Sequence, residues 1–134
     1  MDEVPDLRVR LCLDVTRPYG DTSHASEILG RFAFHFRTEE WPGRCLPEVL
    51  YDPRALETDA THRASLHAKC VVVDQARALV SSANFTEAAQ VRNIEVGVLI
   101  DVQDLPAAIA KHFDGLAAAG HLVPVPGLGQ PPTR

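Results

Sequence analysis

The chain has 134 residues, a length expected to form one domain that buries about two thirds of the surface its unfolded chain exposes. With 46% hydrophobic and 23% charged residues it has a globular make-up, and no apolar run approaches the ~20 residues of a membrane-spanning helix. A net charge of −5 opposes a surface that follows nucleic-acid phosphates along its whole length, while leaving room for a local basic site.

The first ten residues, MDEVPDLRVR, are acidic and carry no hydrophobic targeting core, so the expected compartment is the cytoplasm. Cys12, Cys45 and Cys70 are odd in number and read as reduced structural thiols. Residues 7–15 alternate apolar Leu7, Val9, Leu11 and Leu13 with Arg8, Arg10 and Cys12, the period of a strand. A turn cluster at residues 18–21 follows, and Ser23 is the expected N-cap of a helix whose apolar positions are Ile28, Leu29, Phe32, Ala33 and Phe36. Gly30 is the weak point inside that helix, and Trp41-Pro42-Gly43 ends the region. Residues 49–51 form a short strand candidate, and 52–64 read as a polar loop of the kind that borders a substrate.

The stretch LHAKCVVVDQARALVSSAN, residues 66–84, carries the chemistry. His67 and Lys69 are two apart, so on an extended segment their side chains leave the same face. The β-branched run at residues 71–73 continues the strand to a turn at Asp74-Gln75. A returning strand over 78–81 delivers Ser82 and Asn84 to the end where His67 and Lys69 emerge. An imidazole, a fixed cation and two hydrogen-bonding side chains at one spot suit a phosphate. The other cations near in sequence are Arg54, His62, Arg63 and Arg92, each more simply read as a solvated charge.

Downstream, Asn84 or Thr86 is the expected cap of a short helix through Gln90, with Glu87 in its first turn as a structural anion. Residues 95–100 suit a strand. Residues 105–116, with Ile109, Phe113 and Leu116 at helical spacing, suit a helix that covers the sheet and stops at Gly120. The segment 123–134 holds four prolines and two glycines and is expected to be a disordered tail after a domain over 1–122.

The spacing H-x-K, four residues, D, six residues, then a small residue, S, x, N occurs as His67, Lys69, Asp74, Ser81, Ser82 and Asn84, and it resembles the motif of the phospholipase D superfamily. Ser81 stands where glycine is usual. Asn84-Phe85-Thr86-Glu87-Ala88-Ala89 and Asn93-Ile94-Glu95 resemble the turn, helix and next strand of small bacterial members. The resemblance implies an α/β fold, a phospholipase D-like mixed β-sheet flanked by helices. The family's first strand and helix, which usually precede the segment matched by 7–15, are expected to be lacking, leaving an edge or an apolar face uncovered.

The resemblance also implies roles. His67 is the expected nucleophile, through a covalent phosphohistidine, and Lys69 and Asn84 the groups that neutralise and bind the non-bridging oxygens. Glu95 is the expected carboxylate that accepts a hydrogen bond from the far nitrogen of His67. Ser82 either binds a phosphate oxygen or holds the hairpin end. Asp74, roughly 16 Å along an extended strand from Lys69, reads as a turn or salt-bridge residue. A second catalytic histidine, needed as acid for the leaving oxygen, is expected from a two-fold homodimer. No metal or cofactor is called for, and His24, His35, His62 and His67 have no zinc-ligand spacing.

The substrate expected is nucleic acid, with DNA foremost, because nothing amphipathic or basic suggests a membrane. Within the nuclease-like group, LHAKCVVVD, SSANFTEAA and RNIEVG resemble the phospholipase D-like component of DISARM anti-phage defence systems, which implies defence-complex partners. Two other expectations stand beside the nuclease: a non-catalytic phosphate- or nucleic-acid-binding subunit, and a phospholipase or phosphatidyl transferase.

Overall fold

The computed structural model describes residues 1–4, 6–84, 86, 91–102 and 104–129. These fall into two compact units, one formed by Met1–Leu66 with Gly120–Arg134 and one by His67–Ala119.

The first unit is built around a strand-helix-strand crossover. β1 (Arg10–Cys12) and β2 (Glu48–Tyr51) run parallel, with Leu11 opposite Val49. Parallel neighbours need a long connection, which here contains α1 (Ala25–His35) and a π-helical turn at Phe36–Glu40. Ile28, Leu29, Ala33 and Phe36 of the anticipated apolar stripe are buried, and Phe32, Phe36 and Trp41 stack in sequence. Arg17 is also buried, satisfied by three carbonyls: Nε donates to Leu56 O at 2.8 Å, and Nη1 to Asp21 O at 3.1 Å and Ser23 O at 2.6 Å. That grip ties the loop before α1 to the 3₁₀ turn Pro53–Leu56.

Ser23 does not cap α1. His24 holds the N-cap position without a side-chain bond, because the backbone N–H of Ser23 is drawn back to the Asp21 carboxylate at 2.8 Å. Gly30 remains the weak point, and a Cβ there would meet nothing within 4 Å. Gly30→Ala is expected to stabilise the first unit by about 0.5–1 kcal/mol, seen as a higher urea midpoint in the fluorescence of Trp41.

The segment expected as a disordered tail is, over its described residues, part of the core. Val123–Pro124 forms β6, antiparallel to β2, and Val125 donates its N–H to Val49 O at 2.8 Å. Val125 and Leu128 are 1% and 2% exposed and join Val49, Phe36 and Tyr51 in one cluster. Pro124 lies in β6 and Pro126 in the turn after it, and Val125 and Leu128 beside them are buried.

At the chain's start, Asp2 accepts from the backbone N–H groups of Arg44 (2.6 Å) and Cys45 (2.7 Å). These bonds, with the Cys45 thiol and the Arg44 charge, hold its carboxyl down at about 2. A carboxyl depressed in the folded state adds stability above the ordinary carboxylate range and loses it as pH falls towards its folded value. Asp2→Asn is therefore expected to flatten the fall in urea midpoint between pH 5 and pH 2; a variant as acid-sensitive as the wild type would refute this.

The second unit is an antiparallel meander of β3 (Cys70–Val73), β4 (Arg77–Ser81) and β5 (Gly97–Ile100), with α2 (Leu105–Ala118) packed against β3 and β4. Gly120, at φ +76, ends α2 as anticipated. In register, Cys70, Val72, Ala78 and Ile100 share the better covered face with Val80 and Val98, which are 41% and 59% exposed. Val71, Val73, Leu79 and Leu99 share the other, at 43%, 53%, 38% and 70% exposure.

Among the described residues, each unit carries one three-stranded sheet. β3 to β5 satisfy their ladders with neighbours in sequence, whereas β1 and β2 pair through the α1 crossover and take β6 as third strand. The helix expected over 84–90, with Glu87 in its first turn, falls largely on residues outside those described.

The β3–β4 turn places Asp74 at φ 51 and Gln75 at φ 55, and Ala76 N donates to Val73 O at 3.0 Å. Two successive left-handed residues suit a tight hairpin, but the second is usually glycine. Gln75→Gly is expected to raise stability by about 0.5–1 kcal/mol, the relief of left-handed strain less glycine's entropic cost. Slower amide exchange across β3 and β4 would confirm it.

Candidate active site

Backbone pairing carries the motif residues to one end of the β3–β4 hairpin. Beyond the last strand pair, Cys70 with Val80, the ladder runs one step further: Ser81 N donates to Lys69 O at 3.0 Å. The β4–β5 ladder likewise continues through Ser82 N to Val96 O at 2.9 Å. Lys69, Ser81, Ser82 and Val96 therefore lie across neighbouring chain segments, with His67 two residues before Lys69 and Glu95 one before Val96. Asp74 lies at the opposite end of the hairpin, in its turn, and does not join them.

Lys69 Nζ stands 3.1 Å from Nδ1 and 3.3 Å from Nε2 of His67, and 3.0 Å from the His67 carbonyl oxygen. A hydrogen bond along one ring lone pair would leave the other nitrogen much farther away. Near-equal distances instead put the ammonium against the ring, on the line of neither lone pair. The imidazole thus has both ring nitrogens within reach of one cation.

Ser82 donates from Oγ to Glu95 Oε2 at 2.5 Å and accepts from Val96 N at 3.1 Å. Asn93 Nδ2 donates to Glu95 Oε1 at 3.1 Å. The Ser82 bond, then the Asn93 bond and the Lys69 charge hold the Glu95 carboxyl below its ordinary value. Ser82 thereby links the Glu95 carboxylate to the backbone of the β4–β5 ladder. Glu95 accepts from Ser82 and Asn93, not from His67 as anticipated; its two oxygens are met by side chains two residues upstream and across the β4–β5 ladder. Asn84 lies two residues past Ser82, exposed, with its carbonyl accepting from Thr86 N at 2.8 Å.

Ser81 occupies the position where the motif usually has glycine. Its Oγ accepts from Ala83 N at 3.0 Å, and its register partner is Gly97. A Cβ on Gly97 would come within 3.4 Å of the Ser81 side chain and 3.3 Å of Val80 O, so the glycine opposite leaves room for the serine.

Three of the cations near in sequence are committed within the first unit. Arg54 forks onto both oxygens of Asp52, which lowers the Asp52 carboxyl and raises the guanidinium. His62 contacts Asp59 at 2.9 Å, and Arg63 donates to Glu57 O and Thr58 O. Among the described residues, no three His, Cys, Asp or Glu side chains gather as they would around a metal ion. Nor is any described helix long and apolar enough to cross a membrane.

Asn93 was not among the candidate site residues in the sequence. The signal was present: on an extended segment a residue two before Glu95 shares its face, and an amide there can donate to a carboxylate.

The end of the β3–β4 hairpin thus carries an imidazole with an ammonium against it, and a carboxylate braced by Ser82 and Asn93. Residues 45–117, more than half of the chain, match the family described as cardiolipin synthase, PLD-like domain. The chain belongs to that family, and so to the phospholipase D superfamily, a membership that points to phosphodiester-bond chemistry. A comparison with curated proteins gave no match.

Proposed function

We propose that the chain is a metal-independent phosphodiesterase, foremost a nuclease, that works through a phosphohistidine in a homodimer. The observation that carries this reading is the His67–Lys69 pair at the end of the β3–β4 hairpin, where the ammonium lies 3.1 and 3.3 Å from the two ring nitrogens. In the first step a ring nitrogen of His67 attacks phosphorus, an N–P bond forms, and the P–O bond to the leaving alcohol breaks. Lys69 and Asn84 bind the non-bridging oxygens as charge develops. The leaving oxygen takes a proton from the His67 of a second protomer, positioned by a two-fold contact. That neutral imidazole then takes a proton from water, which attacks phosphorus and frees the first histidine.

DNA is favoured over lipid by the resemblance to nuclease-like members, and a place beside defence-complex proteins follows the resemblance to the DISARM component. A non-catalytic binding subunit is the second reading. It is favoured by the net charge of −5 and by the exposed apolar face of β3, β4 and β5, which suits a subunit that completes its fold against a partner.

The test is hydrolysis, in EDTA, of a chromogenic phosphodiester, single- and double-stranded DNA, and phosphatidylglycerol vesicles, with the oligomeric state measured on the same sample. DNA cleavage by a dimer supports the nuclease. Turnover of lipid alone replaces it with a phospholipase or transferase, and a folded dimer inert towards all four overturns the enzyme reading.

A further inference from the structure

We propose that Asn93 is a positioning residue of this site: with Ser82 it grips the two oxygens of the Glu95 carboxylate and fixes the direction of that anion. The inference rests on the phosphodiesterase reading above.

Three features of the geometry point to it. First, the two donors divide the carboxylate between them, Asn93 Nδ2 on Oε1 at 3.1 Å and Ser82 Oγ on Oε2 at 2.5 Å. An ionised carboxylate only accepts, so the Asn93 amide must present its NH₂ and the serine must spend its single proton there. Second, the serine oxygen is itself fixed by Val96 N at 3.1 Å, so one arm of the grip is anchored to the β4–β5 ladder. Third, Ile94 between Asn93 and Glu95 is fully exposed, so no packing of its own holds this segment. The amide is left as the second arm. A carboxylate held at one oxygen can swing about that bond; held at both it cannot.

A fixed anion here has a use in the reaction. As the N–P bond forms, positive charge grows on the His67 ring beside the Lys69 ammonium, and a charged carboxylate whose field reaches Lys69 offsets two cations in one place. The direction of the carboxylate sets how much of that field reaches the ring.

The test compares wild type, Asn93→Ala, the near-isosteric Asn93→Asp, and Asn93→Ala combined with Glu95→Gln. Two readouts are taken: the titration midpoint of the Glu95 carboxyl by ¹³C NMR, and kcat for a chromogenic phosphodiester across pH. Asn93→Ala is expected to raise the Glu95 midpoint, move the acid limb of the rate profile to higher pH, and lower kcat about tenfold with little change in KM, the order set by one lost hydrogen bond to a charged group. Asn93→Asp, which replaces the donor by a like charge, is expected to raise the midpoint further. In the Glu95→Gln background the alanine change is expected to add little, since the carboxylate it serves is gone.

A Glu95 midpoint unmoved in both single variants, or a loss of kcat as large with Glu95→Gln as without it, overturns the proposal. If the wild type hydrolyses nothing, the phosphodiesterase reading fails. The carboxyl titration then decides the grip alone, a raised midpoint upholding it and an unmoved one overturning it.

Discussion

His67→Asn is expected to reduce kcat for a chromogenic phosphodiester by at least about a thousandfold in EDTA, with KM changed far less. Asparagine is polar and of comparable reach, so Lys69 keeps a neighbour and the hairpin end keeps its ladder bonds through Ser81 N and Ser82 N. What disappears is the nitrogen that attacks phosphorus, and in a two-fold dimer the proton donor on the far side disappears with it. The mechanism needs one histidine neutral as nucleophile and one protonated as acid, so a wild-type rate profile with two limbs is expected. Lys69→Met makes an informative companion. It removes the charge while leaving the imidazole, and is expected to weaken both substrate binding and rate, since the same cation meets the phosphate before and during the step. A His67→Asn protein within tenfold of wild type would sink the phosphohistidine mechanism.

How far the site was legible can be argued from its parts. Strand periodicity and motif spacing put His67, Lys69 and Ser82 at one end of a hairpin, with Asp74 at the other, and the backbone pairing agrees because a two-residue period leaves little choice once the turn is fixed. The partner of Glu95 was not legible in the same way. A carboxylate takes the nearest donors: Ser82 is set by the β4–β5 register, a two-body fact that no spacing rule states, whereas Asn93 stands two residues upstream at strand spacing. The cap of α1 failed for a similar reason: serine at position 23 has the right chemistry, but Asp21 claimed its backbone first. Which strands pair within each unit was illegible because apolar alternation marks which residues form strands and is silent on their partners. Over residues 123–129 proline and glycine content points to disorder, although Val125 and Leu128 among them are core residues.

Leu128→Ala is expected to destabilise the first unit by about 2–5 kcal/mol, the range for a buried leucine whose cavity only partly collapses. Leu128 is 2% exposed, and it packs in one cluster with Val49, the fully buried centre of β2. Its own N–H donates to Val125 O at 3.2 Å, which turns the chain inward just after β6. The next residue makes a second, independent test. Gly129 has φ +43, and a Cβ there would lie 2.1 Å from Pro47 O and 2.7 Å from its carbonyl carbon. No rotamer relieves a clash with backbone, so Gly129→Ala must displace either the tail or the start of β2, and a loss of at least about 2 kcal/mol is expected. The single tryptophan, Trp41, packs against the same core and reports unfolding of this unit by fluorescence in urea. A disordered segment would tolerate both changes within about 0.5 kcal/mol. The two substitutions act by opposite means, one emptying a space and the other filling one, so a loss in both can arise only if residues 128 and 129 are seated where β2 begins.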